Sequence, residues 1–209
     1  MNKEDYTFDY LPNQSHLKLF QHKHMFRMNT DSCLLGNFLK LPSNSRVLDI
    51  GTNNGVLLLY ASVYNCKELV GIDINDEAIK LANYNLTYNH VQNFHLYSLS
   101  VQEFKDINLF DVIICNPPYF QNSLKNSNPY LSLARHEDNL PLPILFKKVD
   151  ELLKKDGSFY LVHRYQRYMD ILKELSLYSL KIVDSQFIEN KKTQNPETIL
   201  LKIQRNKSE

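Results

Sequence analysis

The chain has 209 residues, of which 43% are hydrophobic and 22% are charged, and its formal net charge is +1. These values are typical of one globular domain, and they exclude a protein whose overall charge alone would attract nucleic acid. No apolar stretch approaches the roughly 20 residues of a membrane span, and the first residues lack the apolar core of a signal peptide.

Strands and helices alternate along most of the chain, as judged from the spacing of the apolar residues. Residues 1–30 are polar, aromatic and irregular, and a short helix is expected from Thr30 or Asp31 to Leu39. The further elements are strand 46–50, helix 56–64, strand 68–73, helix 76–88, strand 94–99, strand 111–115, helix 142–153, strand 158–163, a helix that includes 170–175, and strands 180–188 and 198–203. Residues 121–140 are expected to form a long polar loop, and residues 155–157 to end the helix 142–153. The alternation predicts a mainly parallel sheet with helices on both faces, ending in an antiparallel pair.

The first candidate ligand site is the turn from Asp49 to Gly55. The chain has only five glycines, and Gly51 and Gly55 both fall in this turn. Glycine permits close backbone approach to a ligand, and the helix that follows offers free amides. Asp73 ends the next strand, where a carboxylate can accept hydrogen bonds from ribose hydroxyls. The pattern is neither the dinucleotide GxGxxG fingerprint nor a P-loop, and a glycine turn alone would be weak evidence of function.

The second candidate is Asn116-Pro117-Pro118-Tyr119-Phe120, directly after the apolar run 111–115. Two prolines cannot donate to a sheet ladder, so the strand must end there. Ligands of open α/β sheets bind outside the carboxyl ends of the strands. Asn116 offers a donor and an acceptor, and Tyr119 offers a ring for stacking. The motif therefore suits a planar substrate with an amino group, the alternative being a simple turn.

These two segments resemble known motifs. Residues 47–55 are similar to the first motif of S-adenosylmethionine-dependent methyltransferases, and 116–119 to the catalytic motif of the amino-methyltransferases. More narrowly, the chain resembles the bacterial tRNA (adenine-N6)-methyltransferases that modify the adenine beside the anticodon of a valine tRNA. The segments that carry this closer likeness are 26–31, 116–120, 134–137 and 163–164.

The resemblance implies a Rossmann-like class I methyltransferase fold, α/β, with a seven-stranded mostly parallel sheet and an antiparallel C-terminal hairpin. Residues 1–40 would form an N-terminal extension that covers the cofactor pocket, with Phe26 and Asp31 near it. Residues 41–209 would form the methyltransferase domain. The implied cofactor is S-adenosyl-L-methionine and the implied partner is tRNA.

Roles at the site follow from the same resemblance. Asn116 and the carbonyl of Pro117 would accept the amine protons of the substrate, and Tyr119 would stack on the base. Asp49, Gly51, Gly55 and Asp73 would contact the cofactor.

Two positions depart from the family pattern. Asn53 stands where the middle glycine of the first motif is common, although Asn tolerates unusual backbone angles. Ser100, or its neighbour Ser98, replaces the acid that binds the adenine amine of the cofactor. A hydroxyl accepts a hydrogen bond more weakly than a carboxylate, so we expect low or partner-dependent cofactor affinity.

Basic side chains cluster in two stretches, residues 10–30 and the tail from 191. The predicted RNA contacts are Lys18, Lys23, Arg27, Phe120, Arg135, Arg164, Lys191 and Lys192. The alternatives are solvated lysines, arginines paired with acids, and core packing for Phe120. The three cysteines form no disulfide framework or metal pair, which favours reduced thiols in a cytoplasmic protein without a metal. We expect a monomer.

Other functions stay open at this point. A glutamine N5-methyltransferase acting on a release factor or ribosomal protein shares the Asn-Pro-Pro-Tyr motif. Ribosomal RNA guanine N2-methyltransferases, DNA amino-methyltransferases and an RNA-binding module with a decayed cofactor site are further alternatives.

Overall fold

A computed structural model of the chain describes residues 5–118 and 140–206. Its strands are β1 Tyr6–Leu11, β2 Gln14–His22, β3 Arg46–Ile50, β4 Glu68–Asp73, β5 Phe94–Ser98, β6 Phe110–Cys115, β7 Leu153–Arg164, β8 Leu180–Glu189 and β9 Pro196–Arg205. Its α-helices are α1 Thr30–Phe38, α2 Val56–Ser62, α3 Asp76–Tyr88, α4 Leu142–Leu152 and α5 Tyr168–Leu177, and a 3-10 helix spans Tyr165–Arg167. None of the helices in these ranges is long and apolar enough to cross a bilayer.

Seven strands form one sheet in the order β5-β4-β3-β6-β7-β9-β8, which confirms the predicted fold class. The first five are parallel, and β9 lies antiparallel between β7 and β8. Because Ile50 pairs with both Ile72 and Cys115, the carboxyl ends of β3, β4 and β6 meet at one edge. That edge places the glycine turn, Asp73 and Asn116 side by side.

Apolar clusters cover both faces of the sheet, because successive residues of a buried parallel strand point to opposite faces. Leu48 packs with α4 and α5 on one face, and Val47 packs with α1 and α2 on the other. In α4 the buried side chains Leu142, Leu145, Phe146 and Val149 recur at helical spacing. Each such side chain contributes roughly 1.5–3 kcal/mol when fully buried.

The prediction that residues 1–30 are irregular is wrong, because β1 and β2 form an antiparallel hairpin. Asn85 in α3 and Asn89, the residue that caps the end of α3, pair with the free edge of β2. Asn85 accepts from the backbone amide of Phe20 at 2.8 Å and donates to its carbonyl at 3.0 Å, and Asn89 does the same for Lys18 at 2.8 and 2.7 Å. The helix thus satisfies backbone groups that an edge strand would otherwise expose.

Residues 155–157, which are predicted to lie between the helix and the strand 158–163, instead belong to β7, because this strand begins at Leu153. A Cβ on Gly157 would lie 2.6 Å from Leu153 Cδ1 and 3.1 Å from the carbonyl oxygen of Asp111. The glycine therefore serves close packing where β7 and β6 meet, and the pairing register shifts between Phe110 and Val112.

Candidate active site

A cavity of about 350 Å³ opens at the carboxyl edge of the sheet. This volume is within the range of small-molecule sites. The sequence-predicted residues on its wall are Phe26, Arg27, Gly51, Asp73, Ser100, Asn116, Pro117 and Arg164. Tyr119, Phe120 and Arg135 lie outside the described residues.

The glycine turn brings bare backbone to the cavity. Gly51 has a φ of +73° and an added Cβ would meet nothing within 4 Å, so its backbone is open on that side. The amides of Gly51 and Thr52 both donate to the carbonyl of Ile72 at 2.9 Å, which fixes the turn against β4. Asn53 keeps a positive φ of +49°, so the turn accepts Asn in place of the usual glycine.

Gly55 does not lie on the cavity wall. Its φ is +80° and an added Cβ would be 3.2 Å from the Cβ of Ala82. This glycine therefore lets α2 begin close against α3. It affects the cavity indirectly, because it fixes the position of the turn that contains Gly51.

Asp73 joins the turn to the start of α3. One carboxylate oxygen accepts from the backbone amide of Asn53 at 2.8 Å, and the other from that of Asn75 at 2.9 Å. Burial raises the pKa of Asp73, and these backbone hydrogen bonds oppose the shift. Each oxygen retains lone-pair capacity toward the cavity, which suits a pair of ligand hydroxyls.

Asp49 lies behind the turn and not on the cavity wall. It is 0% exposed, and neither carboxylate oxygen makes a close hydrogen bond within the described part of the chain. Burial raises the pKa of Asp49 to about 7, the nearby Thr52 hydroxyl offsets part of this effect, and the charge of Asp73 adds to it. Its effect on the cavity is therefore electrostatic and indirect.

Asn116 follows the last residue of β6 and lies partly buried on the cavity wall. Its side-chain nitrogen donates to the Ser32 hydroxyl at 3.0 Å, and that hydroxyl donates to the side-chain oxygen of Asn29 at 3.0 Å. Asn29 is the N-cap of α1 and also accepts from the backbone amide of Ser32. Sequence reasoning missed Ser32 and Asn29; the available signal was Asn29 as a helix cap.

The segment before α1 closes one side of the cavity. Phe26 and Arg27 lie on its wall, and the side-chain nitrogen of Asn53 donates to the carbonyl of Phe26 at 3.2 Å. The Arg27 guanidinium donates to Thr7 at 3.0 Å and lies 3.7 Å from Asp9. The Arg27 side chain is therefore exposed, and it also contacts two residues of the hairpin strand β1.

Asp31 lies outside the cavity wall and pairs with Arg164, which lies on it. The guanidinium is 3.3 Å from the Asp31 carboxylate and donates to the Thr198 hydroxyl at 3.0 Å. Burial raises the pKa of Asp31, and the charge of Arg164 opposes this. The structure thus gives Asp31 a place behind Arg164, where it fixes the arginine beside the cavity.

Ser100 lies on the wall, and its hydroxyl donates to Glu103 at 2.7 Å. This contact lowers the pKa of Glu103, an exposed carboxylate one turn beyond Ser100. Sequence reasoning missed Glu103, which lies three residues from the position where the family pattern places an acid.

The remaining basic residues differ in their surroundings. Lys23, Lys191 and Lys192 are exposed. The ammonium of Lys18 lies 5.6 Å from the centroid of the Phe8 ring, on the hairpin surface away from the cavity wall. Lys191 and Lys192 occupy the β8–β9 turn, at the same edge of the sheet as Asn116. No group of three or more His, Cys, Asp or Glu that could hold a metal ion occurs among residues 5–118 and 140–206.

A family model described as a methyltransferase domain matches residues 41–206. A tRNA1(Val) (adenine(37)-N6)-methyltransferase of Bacteroides fragilis (strain YCH46) is 32% identical over 163 residues, which cover 73% of this chain and 67% of that protein. The enzyme of the same name from Phocaeicola vulgatus is 30% identical over 176 residues, covering 84% and 75%.

Solved structures agree on the fold. A ribosomal protein L11 methylase from Lactobacillus delbrueckii subsp. bulgaricus superimposes with a TM-score of 0.64, over 87% of this chain and 81% of that one, at 20% identity. At that identity the likeness concerns the fold alone.

Proposed function

We propose that this chain, which belongs to the family of bacterial tRNA (adenine-N6)-methyltransferases, transfers a methyl group from S-adenosylmethionine to the N6 amine of an adenine in tRNA. The single observation that carries the proposal is Asn116, whose amide lies on the cavity wall at the end of β6 and is oriented by Ser32. By analogy with the names of the relatives, the target is the adenine beside the anticodon of a valine tRNA.

The cavity residues fit S-adenosylmethionine. Asp73 would accept hydrogen bonds from ribose hydroxyls, and the open backbone at Gly51 would admit the rest of the cofactor. Ile74, Ala78 and Val101 supply apolar wall for a purine ring, with Ser100 close by for its amine. The bound cofactor supplies an electrophilic methyl group, and the task of the chain is to position the nucleophile.

The nucleophile needs help because the lone pair of an aromatic amine is delocalised into the ring. We infer that the Asn116 side-chain oxygen and the Pro117 carbonyl accept the two amine protons. These hydrogen bonds favour a pyramidal nitrogen with its lone pair directed at the methyl group. Tyr119 would stack on the base and hold it in register. Catalysis would then come mainly from positioning and electrostatics. The amine would gain the methyl group as the bond between that group and the sulfonium sulfur breaks, and its extra proton would pass to water.

We also propose that residues 1–40 act as a cover for the cofactor and that 41–209 form the methyltransferase domain. Phe26 on the cavity wall, and the hydrogen bond from Asn53 to its carbonyl, support this division. An anticodon-loop base can leave its stack to enter such a cavity, as unpaired RNA generally permits.

The test is methyl transfer from labelled S-adenosylmethionine to total tRNA from a strain that lacks the gene, followed by nucleoside analysis. N6-methyladenosine is the expected product. A valine tRNA transcript should accept the label, and the same transcript with guanine in place of the adenine beside the anticodon should not. Parallel reactions contain protein or ribosomal RNA from the same strain in place of tRNA. Label recovered there as N5-methylglutamine or N2-methylguanosine, with none in tRNA, would overturn the proposal in favour of the corresponding alternative.

A further inference from the structure

Three aromatic rings form a cluster at the carboxyl edge of β7 and β8. The rings of Tyr165 and Tyr168 are stacked, with centroids 6.1 Å apart and planes at 13°, and Phe187 packs edge-on against them at 6.0 and 5.7 Å. Tyr165 is 38% exposed and Phe187 is 45% exposed. Exposed apolar surface of this kind beside a functional cleft marks an interaction site more often than a lone exposed ring does. We refer to Tyr165, Tyr168 and Phe187 as the Tyr165 cluster.

The cluster is continuous with the candidate active site. Arg164 lies on the cavity wall and directly precedes Tyr165. Arg164 pairs with Thr198 in β9, and Thr198 pairs with Ile188, the neighbour of Phe187 in β8. Two strand spacings separate β7 from β8, a distance of roughly 10 Å. A polymer with one unit in the cavity could therefore place a neighbouring unit on the cluster.

The charges around the cluster favour a polyanion over an apolar protein segment. Arg164 ends β7, Arg167 ends the 3-10 helix that follows it, and Lys191 and Lys192 are exposed in the β8–β9 turn. Asp31 and Asp170 pair with the two arginines and offset part of their charge. Guanidinium and ammonium groups beside exposed rings are the combination that binds single-stranded nucleic acid, since cations contact phosphates and rings stack on bases.

We propose that the Tyr165 cluster is a second RNA-binding site, on which an unpaired tRNA base close to the target adenine stacks. The inference rests on the proposed function, because it takes tRNA as the substrate. It adds a site for a base that is not methylated, and it predicts that affinity for tRNA depends on rings outside the cavity.

The test replaces the rings by an apolar side chain that keeps the packing and removes the aromatic face, with Tyr165→Leu, Phe187→Leu and the double variant. Each single variant should bind an unmodified valine tRNA transcript roughly 5- to 150-fold more weakly, the range that corresponds to loss of one base–ring stack. Tyr165→Phe should bind like the parent. Cofactor affinity should stay within twofold of the parent in every variant.

Tyr97→Leu is a matched control. Tyr97 is 44% exposed and lies on β5, which is the outermost strand on the side of the sheet away from β8. It should leave tRNA affinity unchanged. A fluorescent 2-aminopurine at the loop position next to the target adenine gives a direct readout. The parent should quench it, and Tyr165→Leu and Phe187→Leu should quench it less.

Different results contradict the proposed function and the proposal for the Tyr165 cluster. If the parent methylates the transcript and the double variant binds and quenches like the parent, the Tyr165 cluster is not an RNA site and the proposed function stands. If the parent methylates no tRNA, the proposed function fails and the cluster proposal fails with it. Weaker binding confined to the cluster variants, with Tyr97→Leu unaffected, supports the proposal.

Discussion

The side-chain nitrogen of Asn116 donates a hydrogen bond to the Ser32 hydroxyl at 3.0 Å, which links the end of β6 to the first turn of α1. The direction of this bond is set by its neighbours. Asn29 accepts from the backbone amide of Ser32, so its contacting atom is oxygen, and the Ser32 hydroxyl must direct its proton to that oxygen. The hydroxyl can then only accept from Asn116. The amide of Asn116 is thereby oriented, with nitrogen toward Ser32 and the carbonyl oxygen on the other side.

Ser32→Ala should reduce the rate of methyl transfer about tenfold, because loss of one hydrogen bond, about 1–1.5 kcal/mol, frees the Asn116 amide to rotate. The expected change is in the single-turnover rate at saturating substrates, with little change in tRNA affinity. Ser32→Thr keeps a hydroxyl and should restore most of the rate. Ser62→Ala is the matched control, since the Ser62 hydroxyl donates to the carbonyl of Leu59 within its own helix, α2. An unchanged rate for Ser32→Ala would show that the orientation of Asn116 does not depend on this contact.

Asn53→Gly tests the cover formed by the N-terminal segment. Glycine suits the positive φ of this position, so the turn should persist, while the hydrogen bond to the Phe26 carbonyl is lost. We expect cofactor affinity to fall roughly fivefold, as for one hydrogen bond, with faster cofactor release. Stopped-flow release and calorimetry measure both quantities. Equal or tighter binding by the variant would contradict a role of this contact in closing the cavity.

Asp73→Asn should weaken cofactor binding roughly 10- to 100-fold, because ribose hydroxyls and the Asn53 and Asn75 amides lose a charged acceptor worth about 1.5–3 kcal/mol per bond. Asp76→Asn, an exposed acid at the start of α3 that pairs with Lys80, is the control and should bind cofactor like the parent. Titration calorimetry measures the cofactor affinity of each variant. If Asp73→Asn binds the cofactor as tightly as the parent does, Asp73 is not part of the cofactor site.

Asp49 predicts a pH dependence of stability. Because burial raises its pKa to about 7, the folded chain holds a proton there that the unfolded chain releases near pH 4. The free energy of unfolding should therefore fall as pH rises from about 4 to 7. The pKa of Asp49 is therefore roughly three higher in the folded chain than in the unfolded chain. This difference changes the free energy of unfolding by on the order of 4 kcal/mol across that pH range. Asp49→Asn should gain stability over the parent between pH 4 and pH 8 by an amount of this order, measured by denaturant unfolding. A stability difference that does not vary with pH would contradict the buried, protonatable carboxyl.

The central strands could be predicted closely from the sequence, because a strand buried on both faces is a continuous apolar run. The prediction and the structure agree at Arg46–Ile50 and at Glu68–Asp73. The hairpin could not be predicted in the same way. Its inward positions Leu17 and Leu19 give only a short alternation, and the groups that complete its edge, Asn85 and Asn89, lie 65 and 71 residues away from their partners.

The residues of the candidate site also differ in whether the sequence around them predicts their role. Asp73 and Asn116 stand at strand ends with local signals, a carboxylate after one apolar run and two prolines after another. The partners that orient them carry no such signal, since Ser32 lies 84 residues from Asn116 in the chain. The family resemblance predicts that Asp31 lies near the cavity, whereas its contact with Arg164 depends on how β7 and β9 pack against α1.

The most direct test of the account is methyl transfer by Asn116→Ala. The measurement is a single turnover of labelled methyl from S-adenosylmethionine to valine tRNA, at saturating enzyme, with thermal melting and tRNA affinity as controls for folding and binding. The account predicts that the folded variant binds tRNA like the parent but forms almost no N6-methyladenosine, because polarisation of the amine matters most as the nitrogen attacks, whereas RNA binding is spread over many contacts. A folded Asn116→Ala variant that forms N6-methyladenosine at the parental rate would contradict the assignment of Asn116 as the residue that positions the amine.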